Sequence, residues 1–170
     1  MHFRQAITAD LAEIMRIIEQ ARQTMRELGT DQWQYGYPNQ TVLAADISAG
    51  QCVVAENDGI ILGLMVLKPG PENGYDQITA PGWLSEGEYI VVHRLAVCQT
   101  GRQQGVARDL VRYAEEQARR EKRASVRIDT HRGNLPMQRF LEKNGYVCCG
   151  LVDIGPGSGD TIRMAYEKII

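Results

Sequence analysis

Apolar and polar positions change period along the chain, and each change marks an element. His2 to Ala6 alternates over a short stretch and reads as a first strand. Leu11, Ile14, Met15, Ile17 and Ile18 recur at helical spacing, so residues 9–28 read as a helix. Thr8 is a good N-cap for it, Asp10 stands where the helix dipole favours an anion, and Gly29 is a natural stop. A second helix over 40–49 carries Val42, Leu43 and Ile47 and ends at Gly50. The apolar runs 51–56 and 60–68 flank Asn57-Asp58-Gly59, residues that tolerate positive φ, so they predict an antiparallel hairpin.

Residues 69–87 break this regularity with Pro69, Gly70, Pro71, Gly74, Pro81, Gly82 and Gly87. Their only evident anchors are Trp83 and Leu84. So long a connection is either a functional flap or an inserted solvent loop. A strand at 88–98 follows, then a loop rich in Gly and Gln, then a helix at 105–121 with Val106, Leu110, Val111, Ala114 and Ala118 as its buried stripe. Ser125–Thr130 is a strand placed as in a βαβ crossover, and so pairs parallel to 88–98. Asn134 caps a helix with Pro136 in its first turn, and Gly145 stops it. Strands at 146–154 and 161–168, joined by a turn at Gly155–Gly159, complete the chain as an antiparallel pair. The order β-α-α-β-β-β-α-β-α-β-β predicts an α/β (α+β) fold with one mixed sheet of about seven strands flanked by helices. With 170 residues and no internal repeat, a single domain over 1–170 is expected.

Composition narrows the function classes. Apolar residues are 44%, charged residues 24%, and the net charge is -2. Nothing here favours a nucleic-acid partner or an anionic membrane. The N-terminus has no apolar run behind a basic start, and no stretch approaches about 18 consecutive apolar residues, so a cytoplasmic location is expected. Cys52, Cys98, Cys148 and Cys149 form no CxxC and read as free thiols, with Cys98 beside the Gly loop. No helical HxxxH or Cys/His cluster suggests a metal.

The loop carries the chemistry. Arg102-Gln103-Gln104-Gly105-Val106-Ala107 ends a strand and opens a helix. Gly101 and Gly105 let the backbone turn, the amides from Gln103 to Ala107 can converge on a phosphate oxygen, and Arg102 adds a cation. A tight structural turn is the alternative. Neither GxGxxG nor GxxxxGK[ST] is present, which excludes Rossmann and P-loop readings. The segment LAVCQTGRQQGVARDLV resembles motif A of the GNAT superfamily of acetyl-CoA-dependent N-acetyltransferases, V-x-x-x-x-[RQ]-x-x-G-x-[GA], with Val97, Arg102, Gly105 and Ala107 in register. The segment VRIDTHRGNLPMQRFLEKNGYVCCG resembles motif B, matching at Asn134, Lys143, Gly145 and Tyr146.

That resemblance implies acetyl-CoA as co-substrate. Its pyrophosphate would lie on the amides from Arg102 to Ala107, Gln103, Gln104, Gly105 and Val106 included. Its pantetheine arm would pair with Leu95, Ala96 and Val97 and hydrogen-bond Asn134, with Arg139 and Lys143 reaching the CoA side of their helix. The implied reaction is direct transfer to an amine: a backbone amide near Val97 polarises the thioester carbonyl while a base removes the proton. One departure stands out, because the Tyr that usually serves as general acid is replaced by Leu141. Either another group protonates the thiolate, or it leaves unassisted.

For the base, His93 is the first candidate and Glu88 the second. His93 lies on the strand before the loop, on one face with Leu95 and Val97 if the period of two holds, and an ordinary imidazole pKa of about 6.5 suits proton transfer. The arylalkylamine N-acetyltransferases look similar, with a strand His and an RQQG loop. The alternative is a hydrogen-bonded strand histidine. Trp33, Tyr35 and Tyr37 on an irregular segment read either as a pocket wall or as edge packing, and His131 as a further cleft residue or a bulge. The expected acceptor is a small-molecule primary amine, with a peptide N-terminus or lysine, or a non-catalytic CoA-binding module, as alternatives. A homodimer is a further expectation.

Overall fold

A computed structural model describes residues 1–155 and 159–170. The turn expected at Gly155–Gly159 spans residues 156–158, which lie outside the described residues. The elements are β1 (His2–Gln5), α1 (Leu11–Glu27), α2 (Gln40–Ser48), β2 (Cys52–Asn57), β3 (Ile60–Pro69), β4 (Tyr89–Val97), α3 (Val106–Arg120), β5 (Ser125–His131), α4 (Leu135–Lys143), β6 (Val147–Asp153) and β7 (Ile162–Ile169). They form one seven-stranded sheet ordered β1-β2-β3-β4-β5-β7-β6. Among the described residues only β4 and β5 run parallel. The β2–β3 turn places Asp58 at φ 49 and Gly59 at φ 80, the paired positive angles of a primed hairpin turn.

The helices divide between the two faces. α3 packs so tightly on one of them that a Cβ at Gly63 would meet Val106 Cγ1 at 3.0 Å and Leu110 Cδ1 at 3.1 Å. Glu142 of α4 reaches Tyr166 on that same side, where Tyr166 pairs with Ile128. On the opposite face α1 packs over β3 and β4, and Asp46 of α2 meets Lys68 at 3.7 Å. The main core lies in both layers, from Ile14, Ile17 and Ile18 to Leu110 and Ala114.

Segment 70–88 is an anchored strap. It crosses the α1/α2 face and runs along the outer edge of β6, where Thr79 N–H donates to Leu151 O and Gly82 N–H to Cys149 O, both at 2.9 Å. That pairing covers an edge strand which would otherwise be open. Beneath it Tyr75, Val91, Val152 and Ala165 make a second small core, with Ile78, Trp83 and Tyr89 packed against it. The anchors are therefore Tyr75 and Trp83; Leu84 is 49% exposed, against the sequence expectation. A single aromatic at position 75 inside a Pro/Gly stretch has no periodicity by which to declare itself buried.

Candidate active site

The site begins where two strands part. The β4–β5 ladder ends at Val92↔Ile128, after which, among the described residues, no strand pairs with the β5-facing edge of β4. Immediately beyond, Arg94 adopts φ 53, and Met65 of β3 faces both Arg94 and Leu95. This β-bulge resets the alternation of side chains. His93 pairs with Val66 and Ala96 with Leu64, so those two share a face, whereas Val97 pairs with Gly63 and lies on the other. The expectation that His93 shares a face with Leu95 and Val97 is corrected by one residue of register, which a period-two argument cannot foresee.

His93 faces the strap. Its Nε2 lies 3.1 Å from Glu72 Oε2, and both side chains are largely covered. The His93 hydrogen bond holds the Glu72 carboxyl below its ordinary range, against the desolvation that would raise it. An ionised carboxylate only accepts, so Nε2 is the donor to Glu72, and in the neutral ring Nδ1 then keeps its lone pair. Across the gap Asp129 of β5 accepts a hydrogen bond from the buried Tyr75 hydroxyl at 2.8 Å. Desolvation pushes the Asp129 carboxyl up, and the same cause raises the Tyr75 phenol. Glu72, Tyr75 and Asp129 escaped the sequence reading. Asp129 is an acid inside a strand otherwise buried on that stretch, the one sequence signal that could have found it.

The loop before α3 offers free donors. Gln103 stands at φ 65 and Gly105 at φ 80. Arg102 N–H donates to Gln99 O and Gln104 N–H to Gly101 O, both at 3.3 Å, so these two expected amides are already used. Among the described residues, the amides of Gln103, Gly105, Val106 and Ala107 have no backbone acceptor. They stand at the positive end of α3. The Arg102 guanidinium donates to Thr24 Oγ1 at 2.6 Å, and Arg108, a cation missed in the sequence, lies 3.0 Å from where a Gly105 Cβ would project. Cys98 is buried and its sulfur accepts from Gly101 N–H, which makes it a cap of this turn.

On α4, Asn134 is buried and its Oδ1 accepts from Met137 N–H at 3.3 Å, leaving its amide hydrogens for another partner. Arg139 and Lys143 are exposed on the same helix. Leu141 is fully buried.

Three expected site residues fall elsewhere or play another part. Glu88 precedes β4 at the end remote from the loop, about 30 Å of strand from Val97, and pairs with Arg123 at 2.8 Å. His131 accepts from Gly133 N–H through Nδ1 at 2.9 Å, so Nε2 carries the proton toward Asp31 at 3.1 Å and Asp160 at 3.5 Å. It ties the segment after α1 to the start of β7. Trp33 turns inward against the main core. Of the other aromatics, Tyr37 receives a hydrogen bond from Arg94 Nη2 and places its ring 5.3 Å from that guanidinium, at the bulge itself. Tyr35 is 60% exposed and lies by Gly159.

A parallel pair that splays beside a loop of free amides is the framework of a transferase that takes its acyl group from a CoA thioester. The model of the acetyltransferase (GNAT) family matches residues 15–146, and the chain belongs to that family. It is an acetyl-CoA-dependent N-acyltransferase. An uncharacterized N-acetyltransferase of Bacillus subtilis (strain 168), YesJ, is 24% identical over 149 residues, 85% of this chain and 81% of that one. A GNAT-family acetyltransferase of Streptococcus agalactiae 2603 superposes with TM-score 0.88 at 34% identity, covering 99% of this chain and 95% of the other. The PaiA N-acetyltransferase of Thermoplasma acidophilum, solved in complex with coenzyme A, has TM-score 0.70 at 17% identity over 99% and 98%. Among the described residues no group of three or more His, Cys, Asp or Glu is placed to hold a metal, and no helix is long and apolar enough to cross a membrane.

Proposed function

We propose that the chain moves the acetyl group of acetyl-CoA directly to a primary amine of a small molecule, with His93 as general base and Glu72 as the residue that positions it. The reading rests chiefly on one observation: His93 stands one residue past the last β4–β5 pair, with Glu72 3.1 Å from its Nε2. A thioester entering the splay along Leu95, Ala96 and Val97 presents its carbonyl beside that imidazole. The amides of Gln103, Gly105, Val106 and Ala107 then cradle the pyrophosphate, while Arg102, Arg108, Arg139 and Lys143 supply cations near the phosphates. The buried Asn134 amide donates to the pantetheine arm.

The chemistry follows. Glu72 attracts the acceptor as its ammonium ion, which gives up one proton to solvent before the neutral amine attacks. Its lone pair forms the C–N bond, and the carbonyl oxygen gathers charge against a β4 backbone amide. His93 Nδ1 takes the second amine proton as the C–S bond breaks and CoA leaves as the thiolate. Leu141, buried and apolar, gives that thiolate no proton. The strap and Tyr37 roof the acceptor face, which favours a small amine over a folded protein surface.

The test is thiol release from acetyl-CoA with a panel of primary amines, measured against pH. For the native protein kcat/KM falls on the acid side, as general-base catalysis requires. His93→Ala loses that acid limb and about 10²- to 10⁴-fold in rate, while acetyl-CoA binding stays intact. An unchanged profile in the variant removes His93 from the mechanism.

A further inference from the structure

With Leu141 apolar, one proton has no donor: the one that the departing thiolate takes up. Tyr146, the nearest phenol along the chain, does not supply it. It is 2% exposed, and its ring lies 5.6 Å from Lys168 Nζ. Lys168 pairs with Val126, two residues short of the end of the β4–β5 ladder, so this phenol stands back from the splay.

An acid does stand at the splay. Val92↔Ile128 is the last pair, so His93 and Asp129 are the first residues beyond it, one on each strand. Both turn to the strap, His93 to Glu72 at 3.1 Å and Asp129 to the Tyr75 hydroxyl at 2.8 Å. Paired strands lie about 5 Å apart, and these two part from there. An arm that enters between β4 and β5 has the imidazole on one side and the carboxyl on the other.

The surroundings of Asp129 favour its acid form. Among the described residues it has no ion-pair partner. Its strand partner is Ala165, which packs with Tyr75, Val91 and Val152 in the small core. A carboxyl in such a place keeps its proton rather than stand ionised without a cation. Desolvation pushes it up most; His93, the Tyr75 hydrogen bond and Arg163 of β7 pull it down, and Glu72 adds to the rise. The Tyr37 phenol faces it as well. Oδ2 is engaged by Tyr75, whereas Oδ1 has no hydrogen-bond partner among the described residues, and Asp129 is only partly covered. Tyr75 itself is 1% exposed, so it fixes the carboxyl and touches no substrate.

We infer that Asp129 is the general acid of the transfer, giving its Oδ1 proton to the CoA sulfur as the C–S bond breaks. The inference rests on acetyl transfer with His93 as base. Its protons balance within the site. The attacking amine gives one to His93 Nδ1, the sulfur takes one from Asp129, and the imidazolium then returns one to the carboxylate across the splay. CoA leaves as the thiol, and acid and base stand as they began.

The test compares the native chain with Asp129→Asn, which keeps an acceptor for Tyr75 and so the anchor of the strap. Three quantities are measured: thiol release with the amine panel against pH, acetyl-CoA affinity by titration, and infrared spectra of both chains across the same pH range. The native chain shows the C=O stretch of a protonated carboxyl at neutral pH. That band disappears with the midpoint at which kcat/KM falls on the alkaline side. In Asp129→Asn the band and the alkaline limb are both absent, kcat/KM is about 10²-fold lower or more, and acetyl-CoA binds with unchanged Kd. A carboxyl that merely anchors the strap moves no limb of the profile. A variant with native kcat/KM, a variant that keeps the alkaline limb, or a native chain without the band overturns the inference while transfer stands. No thiol release from the native chain with any amine overturns the transfer reading, and the acid role with it.

Discussion

Gly105 and Gly59 share a backbone angle and differ in what surrounds them. Both stand at φ 80; no atom lies within 4 Å of a Cβ built at Gly59, whereas one at Gly105 comes 3.0 Å from Arg108 Nη2. A valine at either position keeps the left-handed conformation at a cost of about 1–2 kcal/mol, or abandons it. For a chain of this length that cost lowers Tm by roughly 2–8 °C. At Gly59 the strain stays in a hairpin turn. At Gly105 it falls on the free amides that open α3, and the loss of one charge-assisted hydrogen bond to phosphate is worth about 1.5–3 kcal/mol, roughly ten- to a hundredfold in Kd. The two variants are compared by thermal unfolding and by titration with acetyl-CoA. Similar Tm losses with CoA binding lost only in Gly105→Val are expected. If both variants bind acetyl-CoA as tightly as the native chain, the loop is a structural turn and the pyrophosphate lies elsewhere.

Two further outcomes concern buried charge. Burial raises the Asp129 carboxyl, so its folded form favours the proton; the native chain loses stability as pH rises from the ordinary carboxylate range through that raised value. Asp129→Asn, which keeps an acceptor for Tyr75, therefore raises Tm at neutral pH, and its advantage fades near pH 4; a constant difference across pH would refute the assignment. Glu167→Ala strands the Arg127 guanidinium in the second core, which costs about 3–5 kcal/mol and lowers Tm by roughly 6–20 °C; a drop of a degree or less in thermal unfolding would contradict it.

Much of the fold was legible because it is local. The periods of two and 3.6, the Asn57-Asp58-Gly59 turn and the Asn134 cap each act within a few residues, and the βαβ handedness rule supplies the one parallel pair. The Gly/Gln loop declared itself in the same way, since a helix start and two glycines need no distant partner. Tertiary structure decided the rest. The bulge at Arg94 turned His93 away from the face of Val97, because one extra residue reverses every side chain beyond it. Glu72 reached His93 across 21 positions only because Tyr75 and Trp83 pin the strap over the sheet. Glu88 and His131, plausible by residue type, were drawn away at other places, Glu88 into an ion pair with Arg123 and His131 into contacts with Asp31 and Asp160. The sequence by itself determined the elements and the loop that opens α3, which depend on neighbours along the chain. Only the folded sheet decided which acids face the imidazole, because that depends on register and on where an aperiodic segment finds its anchors.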